Sequence, residues 1–219
     1  MLIAVPLTDK NFEEDAKAIK DLGADAVEVR VDLFEDKSPE KVLWCLQKAR
    51  SLGLLTILTI RSPQEGGKEV PNRKELFERA CPHSDYTDIE LSSQDLLPFV
   101  RDLVKGSGKK LIISYHNFEL TPANWILREV FRQARRWSAD IVKVAVKANS
   151  YQDTARLLCL CEKEEGEKVI IAMGKYGKIS RLAGYIFGSV ISYAFYRSAT
   201  AEGQLSLEEM VRLKREFYP

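Results

Sequence analysis

Histidine is scarce in this chain, with two among 219 residues, and cysteine adds only four. Cys45, Cys81, Cys159 and Cys161 match no zinc spacing, and Cys159 and Cys161 lie two apart in a helical stretch, facing different sides. No metal centre is expected, and the thiols are read as buried and structural. Neither sign of charge is in excess. The net charge is +1 and no basic run or acidic tail stands out, which argues against nucleic acid and against an anionic membrane surface. The apolar runs are far too short to cross a bilayer. The opening Met1-Leu2-Ile3-Ala4-Val5-Pro6 lacks the basic start of a signal peptide, so a cytoplasmic protein is expected. No Pro/Gly/Ser-rich linker, low-complexity segment or repeat divides the chain, and residues 1–219 are read as one domain. Asparagine and glutamine are few beside abundant lysine and glutamate, a bias of heat-adapted proteins.

What is present is a rhythm. Short β-branched runs near residues 2–6, 25–31, 54–60, 86–91, 110–115, 140–146, 168–173 and 190–196 read as strands. Amphipathic stretches near 12–22, 39–51, 73–80, 95–105, 122–137, 151–164, 179–188 and 206–216 read as helices, with Asp9 and Ser38 as caps for the first two. Eight strand–helix units of roughly 27 residues predict a compact (βα)8 barrel. A doubly wound open sheet, the alternative, would carry a glycine-rich loop after its first strand, and Pro6-Leu7-Thr8-Asp9 is not one.

Strand alternation then turns into a statement about chemistry. In Ala26-Val27-Glu28-Val29-Arg30-Val31-Asp32 the valines share one face, towards the helices, and Glu28, Arg30 and Asp32 the other, towards the barrel interior. The same parity turns Thr59, Arg61, Asp88, Glu90, Ser114, His116 and Lys143 inward. A barrel interior is ordinarily filled with Val, Ile and Leu, and burying this many charges destabilises unless they pair and bind something. Lys143 sits inside a run that otherwise reads as a buried strand. Burial without a partner would favour its neutral amine, the form that attacks a carbonyl to make a Schiff base. The preceding strand ends in His116, a proton-transfer group.

These residues resemble the type I 3-dehydroquinate dehydratases. The pieces are Glu28-Val29-Arg30-Val31-Asp32, Arg61 with Glu65-Gly66-Gly67, Asp88-Ile89-Glu90, Ser114-Tyr115-His116, Asp140-Ile141-Val142-Lys143, Met173-Gly174 with Ser180-Arg181, and Gly203-Gln204. They span nearly the whole chain in order. The resemblance implies a (βα)8 barrel, a homodimer, no cofactor, and dehydration of 3-dehydroquinate to 3-dehydroshikimate in the shikimate pathway. It implies Lys143 as the imine-forming lysine, His116 as general acid and base, and Glu65 as the carboxylate that orients His116. Glu28, Arg30, Arg61, Arg181, Thr200 and Gln204 fall on substrate-binding positions. Two departures stand out: Thr200-Ala201-Glu202-Gly203-Gln204 replaces the family's Ser-Ala-Pro-Gly-Gln, and Pro6 stands where some relatives place serine.

Plainer roles are expected for other residues. Asp32, Asp88 and Glu90 read as supports for Lys143 and the arginines, and His83 as structural. Trp44, Trp125 and Trp137 read as packing on the outside of the barrel. Gly174-Lys175-Tyr176-Gly177-Lys178 reads as an anion-binding loop or a plain helix start. Two other functions fit parts of the pattern: a different Schiff-base barrel such as a class I aldolase or transaldolase, and a non-catalytic binding barrel. The first does not require the Glu65-Gly66-Gly67 and Gly203-Gln204 loops; the second does not require Lys143, His116 and Glu65 together.

Overall fold

The computed structural model describes residues 1–199 and 201–218; Thr200 and Pro219 lie outside the described residues. The β-branched runs form β1 (Leu2–Leu7), β2 (Ala26–Arg30), β3 (Leu55–Thr59), β4 (Tyr86–Glu90), β5 (Lys110–Asn117), β6 (Ile141–Lys147), β7 (Lys168–Met173) and β8 (Ile191–Tyr193). Between and after them lie α1 (Phe12–Leu22), α2 (Pro39–Ser51), α3 (Arg73–Ala80), α4 (Leu97–Gly106), α5 (Asn124–Arg136), α6 (Tyr151–Lys163), α7 (Ser180–Ala183) and α8 (Leu207–Phe217). The strands run parallel in the order β7-β6-β5-β4-β3-β2-β1-β8. Leu2–Ala4 of β1 pair with Ile191–Tyr193 of β8, which brings the two ends of the chain's strand series together. This is the expected (βα)8 barrel.

Closure is incomplete at one place. Between β7 and β8 the ladder shrinks to a bridge at Lys168 and Ser189, with the Val190 amide donating to Lys168 at 2.8 Å. Higher on β7 the amides of Ile170 and Ala172 donate to the hydroxyls of Ser189 and Ser180, at 3.1 and 3.0 Å. Two serine side chains stand in for a strand.

Three helix starts are capped by serine. Ser38, Ser150 and Ser206 accept from the amides of Lys41, Asp153 and Glu209, and Ser206 forms a reciprocal capping box with Glu209. Asp9 is not the cap of α1. That position belongs to Asn11 in a left-handed conformation (φ 53°), and Asp9 instead accepts from the amides of Glu35 and Asp36, tying down the loop after β2. The helix expected over 179–188 stops at Ala183, and the chain turns through Gly184 and Gly188 so that Ser189 can reach the edge of β7. Trp125 is 72% exposed, Trp44 is exposed and Trp137 is only partly packed, so the tryptophans anchor little. Cys45, Cys81 and Cys161 are buried free thiols as expected, whereas Cys159 faces solvent.

Parity holds on every strand that carries a charge. Val27, Val29 and Val31 join the large apolar layer between sheet and helices. Inside the barrel the first inward positions are apolar (Ala26, Ile57, Ile112, Ile141, Val169, Ile191) and make its floor. One or two steps nearer the C-terminal ends of β2 to β6 the interior becomes Glu28, Thr59, Asp88, Glu90, Ser114 and Lys143, all buried. In a barrel of this type the C-terminal face is where loops build a site.

Candidate active site

Lys143 stands on β6 above Ile141, with only 5% of its surface exposed. It is not alone there. Its ammonium donates to Asp88 Oδ2 at 2.9 Å, lies 3.6 Å from Glu28 Oε1, and sits 4.3 Å from the centre of the Tyr193 ring. Burial disfavours the ammonium, but the carboxylates of Asp88 and Glu28 outweigh burial and hold its pKa above the ordinary lysine value. The expected neutral amine is therefore corrected: at rest Lys143 is charged, because strands β2 and β4 supply counter-ions.

Those counter-ions are themselves fixed. Thr59 Oγ1 donates to Glu28 Oε1 at 2.9 Å, and Ser114 Oγ donates to Asp88 Oδ1 at 2.7 Å. Arg61, at the end of β3, donates through Nη1 to Glu90 Oε1 at 2.9 Å and lies 3.0 Å from Asp88 through Nη2. Glu90 also takes the amide of Ser62 and the guanidinium of Arg73. Asp88 and Glu90 are pushed up by burial and pulled further down by Arg61 with Lys143 or Arg73, so both stay below the ordinary carboxylate range. Asp32 holds Arg30 through paired bonds at 3.0 and 2.8 Å. Asp32, Asp88 and Glu90 thus occupy the supporting positions expected of them.

His116 comes from the end of β5. Its Nδ1 lies 2.8 Å from Glu65 Oε2, and the same oxygen accepts the His116 backbone amide at 3.0 Å. Glu65 Oε1 accepts from Ser92 Oγ. With Nδ1 engaged on a carboxylate, the ring's other nitrogen, Nε2, is left with its lone pair for the pocket. Burial, then the positive charges of Arg61 and Lys143, lower the imidazole's pKa well below its ordinary value, so His116 rests neutral. Burial raises Glu65 to about 7, against the pull of Ser92 and Arg61.

Arg181, at the start of α7, is 2% exposed. It donates to the carbonyls of Gly203 at 3.0 Å and Tyr193 at 3.3 Å, and among the described residues it pairs with no carboxylate. Burial alone lowers its pKa, to about 10. A buried guanidinium with no carboxylate partner among the described residues is chemically suited to take an anion.

One pocket gathers these groups. Glu28, Arg30, Arg61, Glu65, His116, Lys143, Arg181 and Gln204 all line it. Thr200, the remaining expected position, falls outside the described residues. The pocket also takes in residues that pattern reading passed over. Tyr193 shares the inward parity of β8, a signal that was available. Phe118 stacks nearly parallel on His116, with centroids 6.1 Å apart, and Ser92 steadies Glu65; neither has a sequence mark. His83 is exposed in the turn before β4, away from the pocket. Among the described residues no cluster of His, Cys, Asp and Glu is suited to hold a metal ion.

The comparisons with known proteins converge. A family model described as "Type I 3-dehydroquinase" matches residues 3–217. A 3-dehydroquinate dehydratase of Aquifex aeolicus is 62% identical over 100% of this chain and 99% of its own length. The crystal structure of that organism's enzyme superimposes with a TM-score of 0.95 over the same shares of the two chains. A 3-dehydroquinate dehydratase of Hydrogenobaculum is 54% identical over 100% of this chain and 99% of its own. The type I enzyme of Clostridium difficile, solved with covalently modified comenic acid, is 28% identical with a TM-score of 0.89, covering 98% of this chain and 91% of that one.

Proposed function

Because the chain belongs to the type I 3-dehydroquinase family, we propose that it dehydrates 3-dehydroquinate to 3-dehydroshikimate through an imine on Lys143, as one catalytic barrel without a cofactor. The observation that carries this reading is the position of Lys143: a buried lysine on the pocket floor, 2.9 Å from Asp88, in the pocket lined also by His116 and by Arg181, which pairs with no carboxylate among the described residues. The covalently modified ligand in the Clostridium difficile relative supports a covalent route.

The substrate is a β-hydroxy ketone bearing a carboxylate. Arg181 takes the carboxylate, and Glu28, Arg30, Arg61, Gln204 and Thr200 hold the ring and its hydroxyls, which sets the ketone against Lys143. Neutral His116 removes one proton from the Lys143 ammonium, and the freed amine adds to the ketone. The histidinium returns that proton to the hydroxyl leaving the carbinolamine, so water departs and a protonated imine forms. His116, neutral again, removes the proton on the adjacent carbon and leaves an enamine. The enamine expels the β-hydroxyl as water, taking its proton from His116. Hydrolysis of the remaining iminium frees the product and restores charged Lys143. Charge and protons balance at each step, and Glu65 keeps His116 in the tautomer it needs throughout.

A class I aldolase or transaldolase has less support, since the Glu65-Gly66-Gly67 and Gly203-Gln204 loops both close on this pocket. A non-catalytic barrel has less still, with Lys143, His116 and Glu65 assembled. A place in the shikimate pathway, a cytoplasmic location and a homodimer belong to the same reading, the last readable by sedimentation.

Borohydride treatment with 3-dehydroquinate should add the reduced ligand to Lys143, seen by peptide mass spectrometry. Lys143→Ala should lose both the adduct and turnover while keeping its fold. An adduct on another lysine, or near-normal turnover in the variant, would end the reading.

A further inference from the structure

Tyr193 ends β8 with its side chain in the pocket, 4% exposed. Its hydroxyl is buried, and among the described residues no group meets hydrogen-bond geometry with it, the Lys143 ammonium being the donor in its vicinity. A phenol hydroxyl kept from water and left unbonded is destabilising, and such groups are rare. A phenylalanine would fill the same space without that penalty. The ring itself has a plain use, since the Lys143 ammonium lies over it; the hydroxyl has none in the resting protein.

Its surroundings say what it is for. With the ammonium over the ring face, the hydroxyl on the rim is set to one side of the nitrogen. The nearby charges of Glu28 and Asp88 already have donors in Thr59, Ser114 and Lys143. Burial and those carboxylates raise the phenol's pKa, so it stays an O–H and can donate. One substrate oxygen must come beside Lys143 Nζ whatever the rest of the ring does. That is the oxygen on the carbon being attacked.

Resting on the imine reading above, we propose that the Tyr193 hydroxyl hydrogen-bonds the ketone oxygen under attack by Lys143 and carries a proton from nitrogen to that oxygen in the adduct. Attack makes the N–C bond and moves the carbonyl π pair onto oxygen. The phenol gives its proton to this alkoxide and takes one from the nitrogen, which leaves a neutral carbinolamine and the phenol restored. Hydrolysis of the product iminium uses the same path in reverse. The unbonded hydroxyl is therefore a donor aimed at a charge that exists only during the reaction.

Tyr193→Phe tests this while keeping the ring over Lys143. Wild type and variant are mixed with 3-dehydroquinate, quenched with borohydride over a time course, and the Lys143 adduct is read by mass. The variant should form adduct about ten- to a hundredfold more slowly, with KM little changed and thermal stability equal or raised. A residue that only packs would leave the adduct rate unmoved, and a wild-type adduct rate in the variant overturns the proposal. Absence of a Lys143 adduct in wild type would overturn the imine itself, a separate and recognisable failure.

Discussion

In the proposed imine mechanism Lys143 enters with a proton to lose, and its surroundings decide where it goes. Asp88, below the ordinary carboxylate range, holds the ammonium but will not take its proton. Neutral His116 is the base left over, provided Nδ1 carries the hydrogen that faces Glu65. Glu65 must then be ionised, and burial has moved its titration to about 7. The pair titrates as a unit. We expect kcat/KM to rise with pH through about 7, and Glu65→Gln to lower activity and flatten that limb. A variant that keeps the wild-type limb would remove Glu65 from it. Stability runs the other way. A carboxyl whose folded pKa is raised contributes stability below its unfolded value, near 4.3, which is lost as pH rises through the folded value near 7. Glu65 thus stabilises least where it serves best, and the change in melting temperature between about pH 5 and 8 should shrink in the same variant.

Among the elements, the loops over the pocket are held by close approach more than by freedom. A side chain on Gly67 would fall 2.0 Å from the carbonyl oxygen of Arg61, so this glycine lets the loop carrying Glu65 fold back onto the end of β3. The loop after β8 is tied to its neighbours where the Gly174 amide donates to the Glu202 carbonyl and Arg181 to the Gly203 carbonyl, and inside it the Ala201 amide donates to the Gln204 side chain. Glu202 pairs with Lys147 at 3.6 Å. Gly203 has φ +79°, and a Cβ there would lie 2.6 Å from the Gly174 carbonyl oxygen. Gly203→Ala should displace both Arg181 and Gln204. At about 1–2 kcal/mol of strain, KM should rise roughly five- to thirtyfold while Lys143 remains trappable. An unchanged KM would show that the loop absorbs the side chain without moving the clamp.

At the scale of the whole molecule, alternation was the legible part. Glu28, Arg61, Asp88, Ser114 and Lys143 could be turned inward from period two alone, because register fixes which face each side chain takes. What alternation cannot supply is distance across the barrel. Asp88 is 55 residues from Lys143 in the chain, and only closure brings them together and reverses the lysine's expected charge. Glu65 reaches His116 by the fold-back at Gly67, whereas Ser92 and Phe118 arrive from loops with no pattern of their own. The helix expected over 179–188 ends at Ala183 because its second half coils into tight backbone turns through Gly184 and Gly188, which set Ser189 against β7.

That repair of β7 gives the barrel a preferred place to part. Every other neighbouring pair of strands is joined by a run of backbone bonds, but here a single backbone bond at Lys168 is followed by two hydroxyls, each hung on one rotatable side-chain bond. Mechanically the sheet is closer to a split ring than to a hoop, with Arg181 and Tyr193 on its free lip. Thermal opening should start at this slit and reach Arg181, the proposed carboxylate clamp, before the floor of the barrel loosens. Amide hydrogens of Ile170 and Ala172 should then exchange with deuterium well ahead of that of Ile113 in β5. Equal protection at the three would mean that the slit holds as tightly as the ladders around it.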